Sequence, residues 1–111
     1  MANLVAVSEL SREDVKHGLT DGSVLLIDVR EPHEFALGHV PGAVSMPLSS
    51  FDPGEIPDPE GRMVVFACAA GVRSLRAIEA SQVAGHDFSA HYPGGFKDWV
   101  MSGEEVDAGC K

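Results

Sequence analysis

Two short apolar runs, residues 24–29 (VLLIDV) and 63–67 (MVVFA), are continuous and rich in β-branched side chains. Strands that are apolar on both sides belong in parallel sheets covered on both faces, so these runs predict a sheet sandwiched between helices. The segments around them supply the cover. Residues 11–19 read as a helix whose Ser11-Arg12-Glu13-Asp14 start resembles a capping box, and residues 31–37 as one opening on Pro32, where a first-turn proline is tolerated. The longest helical pattern, 74–84, carries Leu75, Ile78 and Val83 on one side among alanines, with Gly85 as its C-cap. Shorter strand candidates are 4–7, 43–46 and 88–92. Strands alternating with helices predict an α/β fold with a mostly parallel sheet and helices on both faces; ligands then bind at the carboxyl ends of the strands.

With 111 residues and 44% hydrophobic content, the chain fits one domain, taken as 1–101, and a short polar tail, 102–111, expected to fray. Residues 51–62 hold Pro53, Pro57 and Pro59 among acidic residues and glycines and predict a surface loop without regular structure. The N-terminal residues lack a basic and then apolar leader, and no apolar stretch approaches the roughly 20 residues that span a bilayer. A cytoplasmic location is the expectation. Two cysteines make no disulfide framework, in keeping with a reducing compartment. The net charge of −9, from 17 acidic against 8 basic residues, argues against nucleic acid or anionic membrane as a partner. A small anion is still admissible, because screening limits exposed charges to about 8 Å at physiological salt.

The chemistry centres on Cys68. It closes the second apolar run and opens Cys68-Ala69-Ala70-Gly71-Val72-Arg73-Ser74, after which the helical pattern begins. A loop entering a helix aims free backbone N–H groups at one point, and the helix dipole adds positive potential there. Such a setting, with Arg73 nearby as a cation, lowers a thiol pKa and favours the reactive thiolate. Ala69, Ala70 and Gly71 keep bulk out of the cradle, and Gly71 tolerates the backbone angles that a tight curl demands. No residue from Ala69 to Val72 can act as a proton donor to a leaving group.

Two flanking segments complete the pattern. Leu26-Ile27-Asp28-Val29-Arg30-Glu31, followed by Phe35-Ala36-Leu37-Gly38-His39-Val40-Pro41-Gly42-Ala43, is similar to the first signature of the rhodanese-like sulfurtransferases. Tyr92-Pro93-Gly94-Gly95-Phe96-Lys97-Asp98-Trp99 resembles the second. With the Cys68 loop between them, the chain resembles a single-domain rhodanese from about Val5 to Trp99. The resemblance implies a three-layer sandwich around a five-stranded, mostly parallel sheet. It also implies a sulfur relay in which Cys68 takes a sulfane sulfur from thiosulfate, a persulfide or a polysulfide and passes it to cyanide or a thiol, a thioredoxin-like protein among the acceptors. The substrate loop would be Ala69, Ala70, Gly71, Val72, Arg73 and Ser74, with no metal and no cofactor, in a monomer or weak homodimer. Family sulfurtransferases have six residues from the cysteine to the arginine position, as here, whereas phosphatases and arsenate reductases of similar fold use one more. Two alternatives stand beside the relay: a non-catalytic module that binds an anion or a partner, and, less favoured, phosphate or arsenate chemistry.

Other residues invite roles they do not need. A thiolate ionised by its loop requires no base, so His39, ahead of Val40-Pro41-Gly42, is expected to tie down a turn. Asp28 and Arg30, at the end of a buried strand, are expected either to orient the loop or to form a structural ion pair. His17, His33, His86 and His91 show no metal-ligand spacing. Cys110 is expected to be an incidental surface thiol, and Phe96 and Trp99 to pack a last helix on the sheet. Arg30 and Lys97 are the only further cations that are candidates to grip an anionic donor, so a donor needing less cationic grip than thiosulfate is also accommodated.

Overall fold

The computed structural model describes residues 7–109. Five strands, β1 (Ser8–Glu9), β2 (Val24–Asp28), β3 (Val44–Ser45), β4 (Met63–Ala67) and β5 (Ala90–His91), form one sheet in the order β1-β5-β4-β2-β3, every pairing parallel. The helices are α1 (Arg12–Asp21), α2 (Pro32–Leu37), α3 (Val72–Val83) and α4 (Gly95–Met101).

The two apolar runs lie side by side at the centre, Val24 opposite Met63 through Asp28 opposite Ala67. Their alternate residues divide between two cores. Val24, Leu26, Val65 and Ala67 pack with Val15 of α1 and Trp99 of α4 on one face. Leu25, Ile27, Val64, Phe66 and Cys68 pack with Ala77 and Ile78 of α3 on the other. Both faces are therefore dry, as the continuous apolar runs require.

Several expectations need correction. The first strand falls at Ser8–Glu9, one step past the apolar 4–7, most of which lies outside the described residues. It exists because parallel pairing with β5 supplies its hydrogen bonds. Helix α3 starts two residues earlier than its periodicity suggests and buries Ser74, Ala77, Ile78 and Ser81, leaving Leu75 and Val83 exposed. Small residues let this helix sit close to the sheet, and Ser81 stays satisfied by donating to the Ala77 carbonyl. The 51–62 loop is partly ordered: Pro53–Glu55 forms a 3-10 turn capped by Asp52, and Phe51 and Ile56 pack against the α3-side core. The tail is pinned rather than frayed through Gly109. Asp107 pairs with His39 in an antiparallel bridge, Gly109 N–H donates to the Ala36 carbonyl, and the Trp99 indole donates to the Glu105 carbonyl at 2.7 Å. On the tail's side these contacts use backbone groups, which a polar composition does not announce. The capping box of α1 is present, with Ser11 and Asp14 bonded reciprocally.

Candidate active site

Strand β4 ends at Ala67 and delivers Cys68 into the turn that leads to α3. The thiol is buried, with 2% of the residue exposed, and faces the same core as Phe66 and Ile78. Around its sulfur the chain curls tightly. The Gly71 N–H donates to Sγ at 3.1 Å and the Ser74 N–H at 3.4 Å, while the Ser74 hydroxyl lies 3.7 Å away. Burial pushes the Cys68 thiol pKa up, but the Ser74 N–H and hydroxyl and the N–H groups of Ala70 and Gly71 outweigh it, and the net shift is downward.

The second signature segment makes this curl possible. A loop whose N–H groups point inward must point its carbonyls outward, and those carbonyls need partners. The first N–H groups of α4 provide them: Phe96 donates to the Cys68 carbonyl at 2.8 Å and Lys97 to the Ala69 carbonyl at 3.1 Å. The fit demands glycine on both sides. Gly71 sits at φ 89°, where a Cβ would lie 2.7 Å from the Pro93 carbonyl oxygen, and Gly95 at φ 65°, where a Cβ would lie 2.5 Å from the carbonyl oxygens of both Cys68 and Ala69. Tyr92 anchors the segment from below, its hydroxyl donating to Asp98 at 2.5 Å.

The predicted site residues separate into groups. Cys68, Ala70, Gly71 and Ser74 converge on the sulfur, and Ala69 turns its carbonyl to α4. Val72 is exposed at the first turn of α3. Arg73, expected to act as a cation near the thiol, grips Glu34 of α2 with both terminal nitrogens, at 2.6 and 3.0 Å. That pair holds the Glu34 carboxyl down to about 2, against burial, which pushes it up. Much of the guanidinium charge is thereby neutralised, although the thiolate still adds to what raises the Arg73 pKa, after Glu34. The Asp28–Arg30 pair resolves as a buried ion pair: Arg30 bonds both Asp28 oxygens, donates to the Gly38 carbonyl at 2.8 Å, and lies 4.2 Å over the Phe96 ring. It meets the loop's neighbours at two places: Phe96, whose N–H holds the Cys68 carbonyl, and Glu34, whose backbone carbonyl accepts from Arg30 at 3.4 Å and whose carboxylate grips Arg73. His39 stacks on Phe35 at 3.8 Å, with Nδ1 2.9 Å from the Phe35 carbonyl oxygen, one turn back in α2 rather than in the turn ahead. Cys110 lies outside the described residues.

One residue weighed in the sequence only as a metal ligand also borders the site. His91 of β5 is buried and its Nδ1 is 2.8 Å from the Ser74 hydroxyl that borders the thiol. The signal was available in strand parity: Ala90 and Tyr92 belong to the α1-side core, so His91 must point to the α3 side, where a polar ring needs a partner.

Residues 11–102 match the rhodanese-like domain family. The chain belongs to that family. It is 34% identical to the thiosulfate:glutathione sulfurtransferase of Saccharomyces cerevisiae, over 91% of this chain and 84% of that protein. It is 32% identical to a sulfurtransferase of Allochromatium vinosum, over 92% of this chain and 96% of that one. The human single-domain sulfurtransferase superposes with a TM-score of 0.71 at 28% identity, covering 84% of this chain and 95% of that structure. The enzyme is a rhodanese-type sulfurtransferase. Among the described residues no helix is long and apolar enough to cross a membrane.

Proposed function

We propose that Cys68 carries sulfur as a persulfide between a small sulfane donor and a thiophilic acceptor. The observation that carries this reading is the convergence of the Gly71 and Ser74 N–H groups and the Ser74 hydroxyl on one buried sulfur. In the first step the thiolate attacks the outer sulfur of thiosulfate. The Sγ–S bond forms, the S–S bond of the donor breaks, and its electron pair leaves with sulfite. In the second, an acceptor thiolate or cyanide attacks the outer persulfide sulfur, the new bond forms to the acceptor, and the electron pair returns to Cys68. Neither leaving group needs a proton, which suits a loop without an acid. The N–H donors serve the thiolate at the start and the anionic persulfide between steps, and they are in place before either charge develops.

Thiosulfate and glutathione are the donor and acceptor in the name of the yeast relative, and a persulfide, polysulfide, cyanide or thioredoxin-like protein meets the same chemical requirement. Because Arg73 is held by Glu34, donor binding in this reading depends chiefly on the loop backbone, and the two alanines and Val72 shape its rim. A reducing, cytoplasmic setting supports a thiol that must return to the thiolate after each turnover. The test is intact-mass spectrometry after incubation with thiosulfate, glutathione persulfide or inorganic polysulfide. A gain of one sulfur atom that cyanide removes, and that Cys68→Ser never shows, is expected; an unmodified Cys68 with all three donors sinks the reading.

A further inference from the structure

His91 is a buried titratable side chain near the thiol that the sulfur chemistry above does not use. The residue is 2% exposed, its Nδ1 is 2.8 Å from Ser74 Oγ, and among the described residues its Nε2 meets no hydrogen-bond partner. Ser74 itself is wholly buried, with Oγ 3.7 Å from the Cys68 sulfur. The charged groups that face the imidazole are few: Glu9, its register partner across β1, and Cys68 by way of Ser74. Burial pushes the His91 pKa down, more than Glu9 pushes it up, which favours the neutral ring with a single proton.

One proton on the ring and one on the hydroxyl leave two arrangements. If Ser74 donates to Nδ1, the ring proton sits on Nε2, a buried donor without an acceptor, and the serine turns only lone pairs toward the sulfur. If Nδ1 carries the proton and donates to Oγ, the serine hydrogen is free to point at Sγ and the unpartnered Nε2 is a bare acceptor. The second arrangement stabilises a thiolate, whereas the first opposes it.

We propose that His91 is a positioning residue: as the Nδ1–H tautomer it occupies the lone pair of Ser74 and so commits the serine hydroxyl to donate to the Cys68 thiolate. The relay runs from β5 through α3 to the end of β4, and it makes one hydroxyl a fixed dipole rather than a free rotor. It rests on Cys68 being the reactive thiol of the proposed sulfur relay, but it concerns the thiolate before any donor arrives.

The test is therefore independent of sulfur transfer. The rate of Cys68 alkylation by iodoacetamide is followed against pH, resolved at the Cys68 peptide by mass spectrometry, in the wild type and in His91→Leu, His91→Asn and Ser74→Ala. His91→Leu is expected to raise the thiol pKa by up to about one unit, slowing alkylation below that pKa by up to about tenfold. His91→Asn, whose amide N–H can replace Nδ1–H, is expected to restore most of the loss. Ser74→Ala should match His91→Leu, and the His91→Leu/Ser74→Ala double variant should be no worse than either single one. An unchanged profile in folded His91→Leu, additive losses in the double variant, or failure of Asn to rescue overturns the proposal. Should His91→Leu not fold, nitrogen NMR of the wild-type imidazole decides: a protonated Nδ1 with a bare Nε2 is expected, and a protonated Nε2 overturns the assignment. Normal thiolate behaviour in an enzyme that never forms a persulfide would separate failure of the sulfur relay from failure of this relay.

Discussion

Helices α3 and α4 both begin beside Cys68, yet their first N–H groups are used in opposite ways. Those of α3 and its lead-in, from Ala70, Gly71 and Ser74, turn to the sulfur and remain available to whatever charge it carries. Those of α4, from Phe96 and Lys97, are consumed by the carbonyls of Cys68 and Ala69. The second helix start is what makes the first one useful. An inward-facing row of donors implies an outward-facing row of acceptors, and without a buried partner those acceptors would favour a relaxed loop.

The largest test of this division is Gly95→Ala. Its Cβ would fall 2.5 Å from two backbone carbonyl oxygens at a positive φ, so we expect a loss on the order of 3 kcal/mol or more in urea unfolding. In whatever folds, the thiol should have an ordinary pKa. A stable Gly95→Ala protein with an acidic thiol would show that α4 is dispensable to the cradle. Gly71→Ala comes next, at about 2 kcal/mol, because its Cβ would meet a single carbonyl, that of Pro93, at 2.7 Å. Here the pH profile of alkylation should shift upward as the Gly71 N–H leaves the sulfur.

Glu34→Gln probes the neutralised arginine. With a folded pKa of about 2, below the ordinary value of 4.5, Glu34 adds stability that is complete above about pH 4.5 and lost as pH falls toward 2. Partial exposure of the pair reduces its worth to about 1 kcal/mol. The variant should lose that amount at neutral pH and show a flatter acid limb between those values. It should also make Cys68 somewhat more acidic, since Arg73 is then unpaired; an unchanged thiol profile would mean that the arginine charge does not reach the sulfur. The smallest effect is expected at a third helix start. Ser11→Ala removes one half of the α1 capping box and should cost about 1 kcal/mol or less, leaving alkylation unaltered.

The sequence made local and periodic features readable and left long-range ones hidden. Continuous β-branched runs declare β2 and β4 because a strand apolar on both sides has few other places to go. The thiol declares itself by standing between one such run and a helix. Arg73 reads from the sequence as a cation near the thiol, but not as half of an ion pair, because its partner lies 39 residues away in the chain, in a helix only six residues long. Leu75 and Val83 outranked Ser74 and Ser81 as core candidates, since apolarity says nothing of how closely a helix must approach the sheet. The docking of Asp107 on His39 and of Gly109 on Ala36 is carried by backbone groups, which every residue has. His91 was dismissed as a metal ligand, and its actual neighbour became visible only with the parity of β5.

The order of the elements along the chain has a chemical meaning. The carbonyls of the Cys68 loop take their donors from α4, which follows every strand of the sheet in the chain. A chain that has paired β2 with β4 but has not docked α4 holds the thiol without the cradle that ionises it. The acidity of the nucleophile is thus tied to completion of the fold, which leaves an unfinished chain less open to oxidation or misplaced sulfur than the finished enzyme.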